Sequence, residues 1–143
     1  MSTLAVGTIK SLSSIAPAIQ NTSGTVVGHF INKFVNFNGE ATGTILSSNG
    51  VSSVTDLGTG YYRINFSAAF SDTNYAYALG AMNRFSNTST SGPTNDKNEG
   101  GDLRLKHDQK ATGTVEIQSW RDTNTAGEEA NDTPEICALF IGS

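Results

Sequence analysis

The residues able to do chemistry are few and scattered along the 143-residue chain. Only His29 and His107 carry side chains whose ordinary pKa lies near neutrality. His29 stands inside the apolar run VVGHFINKFVNF (26–37), where a packed or edge position suits it better than the role of a general base. His107 is followed by Asp108, but no Gly-x-Ser-x-Gly elbow or phosphate-binding loop accompanies the pair. The single cysteine, Cys137, excludes an intrachain disulfide. It lies in the run ICALFI (136–141) and is expected to be a buried, inert thiol. No Cys/His cluster has metal-ligand spacing. Asp96, Glu99 and Asp102, then Glu128, Glu129 and Asp132, offer oxygens of the kind calcium takes. They match no calcium-loop spacing, so solvated polar loops are expected. The chain therefore reads as a non-enzyme without cofactor or metal.

What remains is recognition. Tyr61, Tyr75, Tyr77 and Trp120 fall on expected strands, and alternation sends some of them outward. Outward rings beside Asn, Asp and Arg can build a saccharide site, because rings stack on sugar faces and polar side chains bond to hydroxyls. Trp120-Arg121-Asp122, at an expected strand end, is the most suggestive local group. In an oligomer the same rings would be subunit contacts, which is the favoured explanation. The stretch NRFSNTSTSGPTNDKNEGG (83–101) is long, polar and broken by Gly and Pro. A loop of that length in a compact domain is usually functional or disordered. Arg84, Asn95, Asp96 and Lys97 from this loop, with Trp120 and Arg121, are the candidate residues for binding a receptor or partner.

The elements that must position these residues read as strands. Hydrophobic residues are 36% and charged residues 15% of the chain, and Ser, Thr, Asn and 15 glycines supply the rest of its character. The apolar residues come in short patterned runs, which argues against disorder and for many strands joined by turns. The run 26–37 is expected as one long strand, followed by a turn at Asn38-Gly39 and a strand over 42–47. A strand over 51–57 places Val51 and Leu57 on one face and Val54 on the other, and a strand over 61–67 points Tyr62, Ile64 and Phe66 inward. Further strands are expected near 75–82, 103–107 and 113–120. Residues 122–134 read as a second polar loop, and 134–142 as a central strand buried on both faces. About eight strands without a convincing helix give an all-β fold, an antiparallel β-sandwich of jelly-roll type. The expected core is Val35, Phe37, Ile45, Val54, Ile64, Phe66, Val115, Ile117, Ile136, Leu139 and Phe140.

Residues 1–24 stand apart, with Leu4, Val6, Ile9, Leu12, Ile15 and Ile19 spaced among small polar residues. They read as an N-terminal arm for docking or oligomerisation, or equally as a loose terminus, ahead of a sandwich domain over 25–143. The net charge of −4, with basic residues dispersed, excludes an ordinary nucleic-acid binder. No apolar run is long enough for a membrane span. The opening residues lack the basic and apolar regions of a signal peptide. A product that stays in the cytoplasm, or leaves by lysis, is expected.

Two segments carry a resemblance. KFVNFNG (33–39) resembles the K-A-W-V-N-F-N-G signature, and NGVSSVTDLGTGYYRINF (49–66) resembles N-V-S-S-I-T-D-x-G-x-G-x-Y-x-x-N-F. Both recur in structural and tail-fibre-like proteins of marine phages and cyanophages. The step Asp72-Thr73-Asn74-Tyr75 matches that family's D-x-N-Y, and Ser2-Thr3-Leu4-Ala5-Val6 is similar to its opening. Phe34 departs from the usual Trp, and the stretch 84–101 is a long insertion. The resemblance implies a bacteriophage virion component, assembled in the host cytoplasm, homo-oligomeric and trimeric, with no catalytic residues. The matched positions are turn and core residues, which mark a fold rather than a site. Two roles follow. One is a short tail fibre or fibre tip, with the arm docked to the tail and the loops touching a host saccharide or protein. The other is a capsid decoration protein that clamps its neighbours. The fibre role is preferred. A depolymerase would need paired carboxylates on a long β-helix.

Overall fold

A computed structural model describes residues 18–82, 102–123 and 127–142. Eleven strands appear among them, in the order β1 (Ala18–Gln20), β2 (Val26–His29), β3 (Lys33–Asn38), β4 (Thr44–Asn49), β5 (Val51–Gly58), β6 (Tyr61–Phe66), β7 (Ala76–Met82), β8 (Asp102–Leu105), β9 (Thr114–Thr123), β10 (Gly127–Ala130) and β11 (Glu135–Ile141). The only helical turn among the described residues is a 3-10 turn over His107–Gln109.

Nine of these strands, all paired antiparallel, make two main sheets. Sheet I runs β4-β3-β11-β7. In sheet II, β9 pairs with β6 through Tyr61↔Gln118, with β8 through Arg104↔Gln118 and Asp102↔Trp120, and with β10 through Ala130↔Trp120. A strand has only two edges, so β8 takes one edge of β9 while β6 and β10 share the other, end to end. The inner faces meet as a sandwich. Val35, Phe37, Ile136, Ala138 and Phe140 from sheet I pack against Tyr62, Ile64, Phe66, Val115 and Ile117 from sheet II. Ring contacts cross the gap, Phe37 on Tyr62 at 5.2 Å and Phe66 on Phe140 at 5.0 Å between centroids. Burial of this apolar area is the main stabilising term.

Several expectations need correction. The run 26–37 is two strands, not one: Phe30 and Ile31 leave the ladder, and Asn32 anchors the chain before β3. β11 is covered on one face only. Cys137 and Leu139 point outward and are exposed, while Ile136, Ala138 and Phe140 are buried. In β5, register shifts at Val51/Ser53 and Asp56/Gly58 break simple alternation. Val51 is therefore buried and Val54 packs against the core from the same side, whereas Leu57 is 43% exposed. The polar segment after Trp120 is no loop at its ends, because β9 continues to Thr123 and folds back as β10. Phe70 and Tyr75 join the core from the connection between β6 and β7.

Candidate functional site

The strand directions sort every connection to one of two ends. β3, β5, β7 and β9 run toward the first end, and β4, β6, β8 and β11 run away from it. The first end therefore holds the β3–β4 turn, the β5–β6 turn, the β9–β10 hairpin, the last residue of β7 (Met82) and the first of β8 (Asp102). Met82 and Asp102, the described residues that flank 83–101, both lie there. The opposite end holds Asn32, where β1 and β2 join the sandwich, together with Gly50, Phe70, Tyr75 and Gly142.

Directional hydrogen bonds fasten the loop-bearing end. Asp132 Oδ1 accepts from the Gly60 N–H at 2.7 Å and from the Tyr62 hydroxyl at 2.8 Å. The hydroxyls of Ser119 and Thr133 bond at 2.5 Å, both fully buried. The Gly39 N–H donates to the Thr133 carbonyl at 3.0 Å, the Ser119 N–H to Gly60 at 2.8 Å and the Asn131 N–H to Ser119 at 3.0 Å. Gly60 has φ of +72°, and a Cβ there would lie 2.5 Å from the Ser119 carbonyl oxygen, so no larger residue fits. Burial, helped by the hydrogen bond to Asp132, holds the Tyr62 phenol far above its ordinary pKa. Segments 33–39 and 49–66 thus converge on this latch through Gly39, Gly60 and Tyr62. Asp132 is part of it rather than part of a solvated acidic loop. Asp56 Oδ1, bonded to the Gly58 N–H at 2.8 Å, shapes the β5–β6 turn in the same way.

Beside this end, the outer face of sheet II carries charge and rings. Glu116, only 7% exposed, accepts from Arg63 Nη2 at 2.6 Å and Nε at 3.0 Å, and lies 3.5 Å from Lys106 Nζ. Arg104 pairs with Asp102 at 2.8 Å. Trp120 donates its indole N–H to Gln118 Oε1 at 3.2 Å and meets Tyr61 edge-on, with centroids 6.2 Å apart and planes 71° from parallel. Rings set nearly at right angles do not form a flat stacking platform for a sugar, and they suit a packed protein contact better. The chemistry available here is recognition by an amide, two guanidinium groups and two aromatic edges.

The sequence-derived candidates divide as follows. Trp120 lies on this face, within β9 rather than at its end. Arg121 is in the next register position, paired with Glu129 of β10, and its side chain lies outside the described residues. Arg84, Asn95, Asp96 and Lys97 also lie outside them. Tyr75 is buried against Phe70 and not a surface ring, while Tyr77 is 48% exposed. Sequence reading missed Asp132 as the latch acceptor, because its partners are 70 and more residues away. It missed the Arg63–Glu116–Lys106 group because that pairing exists only once the β6–β9 register is set.

Among the described residues, no group of three His, Cys, Asp or Glu side chains is placed to hold a metal ion. No helix among them is long and apolar enough to cross a membrane. Fold and surface together define an antiparallel sandwich domain whose connections divide between its two ends. No family model, curated protein or solved structure matches the chain.

Proposed function

We propose that the protein is a non-enzymatic structural component of a bacteriophage particle, a short tail fibre or fibre-tip module that binds a host receptor. It works as a homo-oligomer, a trimer on the strength of the phage-like segments, in contact with other tail or capsid proteins. The observation that carries the reading is polarity. The N-terminal segment enters at Asn32, at one end of the sandwich, while the roots of the 83–101 and 124–126 connections lie at the other. A receptor-binding module needs that separation, because one end must be mounted while the other meets the target. Host contacts on this reading come from Arg84, Asn95, Asp96, Lys97, Trp120 and Arg121, with a surface saccharide or protein as receptor. Loops held by a rigid scaffold are the usual carriers of such binding.

Replacing residues 86–100 by a short linker leaves the fold intact and abolishes adsorption of the purified protein to host cells. Undiminished adsorption refutes the receptor role. A capsid decoration protein is the second reading, favoured by the broad outer face of sheet I, which displays Ala76, Ala78, Gly80, Cys137 and Leu139 and almost no charge. Quantitative mass spectrometry of purified particles separates the two, with at most dozens of copies for a fibre and hundreds for a decoration protein.

A further inference from the structure

The sequence holds two Asn-Gly pairs, Asn38-Gly39 and Asn49-Gly50, and the fold places them in opposite situations. Asn is among the thermolabile residues, and its own chain neighbour supplies the reagent. The backbone nitrogen of the next residue attacks the side-chain Cγ, and the proton of that nitrogen passes to Nδ2. The Cγ–Nδ2 bond breaks, ammonia leaves, and a cyclic succinimide remains. Water then opens the ring at either carbonyl and leaves aspartate or isoaspartate. The sequence of steps consumes water alone and changes no oxidation state. A following Gly speeds the attack, because it has no Cβ to obstruct the close approach.

At Asn38-Gly39 the attack is hindered from every side. The Gly39 N–H, which would be the nucleophile, donates to the Thr133 carbonyl at 3.0 Å. Gly39 is buried, and a Cβ there would lie 2.5 Å from the Tyr62 hydroxyl oxygen and 2.7 Å from the Thr133 carbonyl oxygen, so a new ring has no room. Asn38 Oδ1 accepts from the Ala41 N–H at 3.1 Å, which ties the carboxamide to the turn that follows. Asn49-Gly50 has none of this protection. Asn49 is exposed at the end of β4. Gly50, with φ of +68°, is the single residue that joins β4 of sheet I to β5 of sheet II. Its carbonyl accepts from the Ser67 N–H at 3.1 Å, but its own N–H donates to no group among the described residues. The attacking nitrogen is unengaged and the carboxamide is open to water.

We propose that Asn49 is a site of spontaneous deamidation and that its conversion loosens the joint between the N-terminal segment and the sandwich. The nitrogen that leaves is itself part of that joint. Asn49 Nδ2 donates to the Asn32 carbonyl at 3.0 Å, while the Asn32 N–H donates to the Phe140 carbonyl at 3.2 Å and Asn32 Oδ1 accepts from the Gly142 N–H at 3.0 Å. A carboxylate at position 49 has acceptors only, and it would set one acceptor against another. Isoaspartate also lengthens the main chain by one backbone atom at the crossing between the sheets. Space there is short, since a Cβ on Gly50 would lie 2.8 Å from Lys33 Cγ and 3.1 Å from the Asn32 carbonyl oxygen. The added length therefore displaces Asn32 and Lys33, where β3 begins. The bonds to Phe140 and Gly142 keep the chain attached, so the outcome is a slow, irreversible softening of the β2–β3 connection. It holds whether or not the chain belongs to a particle.

Ageing the full chain in mildly alkaline buffer, folded or in urea, tests this. Digestion after Glu40 separates the two pairs, and mass spectrometry reads aspartate and isoaspartate at each. In the folded chain Asn49 converts at least about tenfold faster than Asn38, the ratio that a protecting hydrogen bond of about 1.4 kcal/mol gives. In urea the two rates come together. Equal rates in the folded chain overturn the site, and so does an Asn49 that stays intact while the urea sample converts. Hydrogen exchange reads the consequence. Amides of residues 26–33 exchange faster in the aged chain and in Asn49→Asp than in the fresh chain, while those of β6 and β9 keep their rates. Unchanged exchange over 26–33 overturns the loosening, and an equal loss of protection in β6 and β9 overturns its being local. The aged chain alone decides if Asn49→Asp does not fold.

Discussion

The two ends of the sandwich are closed by different physics. At the loop-bearing end, Asp132, Ser119 and Thr133 hold Gly60, Tyr62 and Gly39 by short, directional hydrogen bonds between buried groups. At the other end, Phe66 meets Phe70 at 5.2 Å, Tyr75 at 5.8 Å and Phe140 at 5.0 Å, and Tyr75 stacks on Phe70 at 4.4 Å. Lys33 Nζ lies 4.2 Å from the Phe70 ring centroid, and its pKa is lowered by burial. Lys110 Nζ lies 4.3 Å from the Tyr75 ring and donates to the Tyr75 carbonyl at 2.8 Å. Apolar burial is strong but tolerant of small shifts. Hydrogen bonds are individually weaker yet fix position, and they become costly when one partner is lost.

The comparison can be broken most severely at the aromatic end. Phe66→Ala removes the ring that three others contact and is expected to cost about 3–5 kcal/mol, read by urea denaturation. A loss below about 1 kcal/mol would mean that the ring cluster is not the glue of that end. At the latch, Asp132→Ala leaves the Gly60 N–H and the Tyr62 hydroxyl without an acceptor. The expected cost is about 2–3 kcal/mol. Asp132→Asn, which keeps an oxygen acceptor, should recover part of it, and equal losses for the two would refute the latch.

Alkaline pH probes both ends together. Tyr75 is pushed up to about 12 by burial, and Tyr62 is raised further. Their folded-state pKa values lie above the unfolded value near 10. The stability they contribute is therefore complete below about pH 10 and falls as pH rises from there through the folded pKa values. Absorbance of phenolate should show these two groups ionising only as circular dichroism reports unfolding. Ionisation of all tyrosines at pH 10 in a folded protein would contradict the burial of both rings. The smallest effect is expected on the outer face of sheet II. Glu116→Gln should cost less than about 1 kcal/mol, because the Arg63 side chain keeps 43% exposure to water and the amide keeps an oxygen acceptor.

How much of this was legible beforehand depended on the distance over which each feature is encoded. β6 and β9 alternate cleanly in the sequence, and Tyr62, Ile64, Phe66, Val115 and Ile117 fall inside as expected. The run ending in β11 was misread because an apolar run does not say whether one face or two are covered. β10 was hidden because Gly-Glu-Glu-Ala has no strand character, and only its pairing with β9 makes it one. The break at Phe30 to Asn32 depends on hydrogen bonds from Asn32 to residues as far as Gly142, which no local pattern contains. The latch was invisible for the same reason, although Gly39 and Gly60 stood out as turn residues.

Cryo-electron microscopy of the phage particle to which the proposed function assigns this chain tests the central claim most directly. The account predicts oligomers whose Asn32 end faces the particle and whose Gly60, Asp102 and Trp120 end faces solvent. Density with the orientation reversed, or a mature particle without the chain, would contradict it.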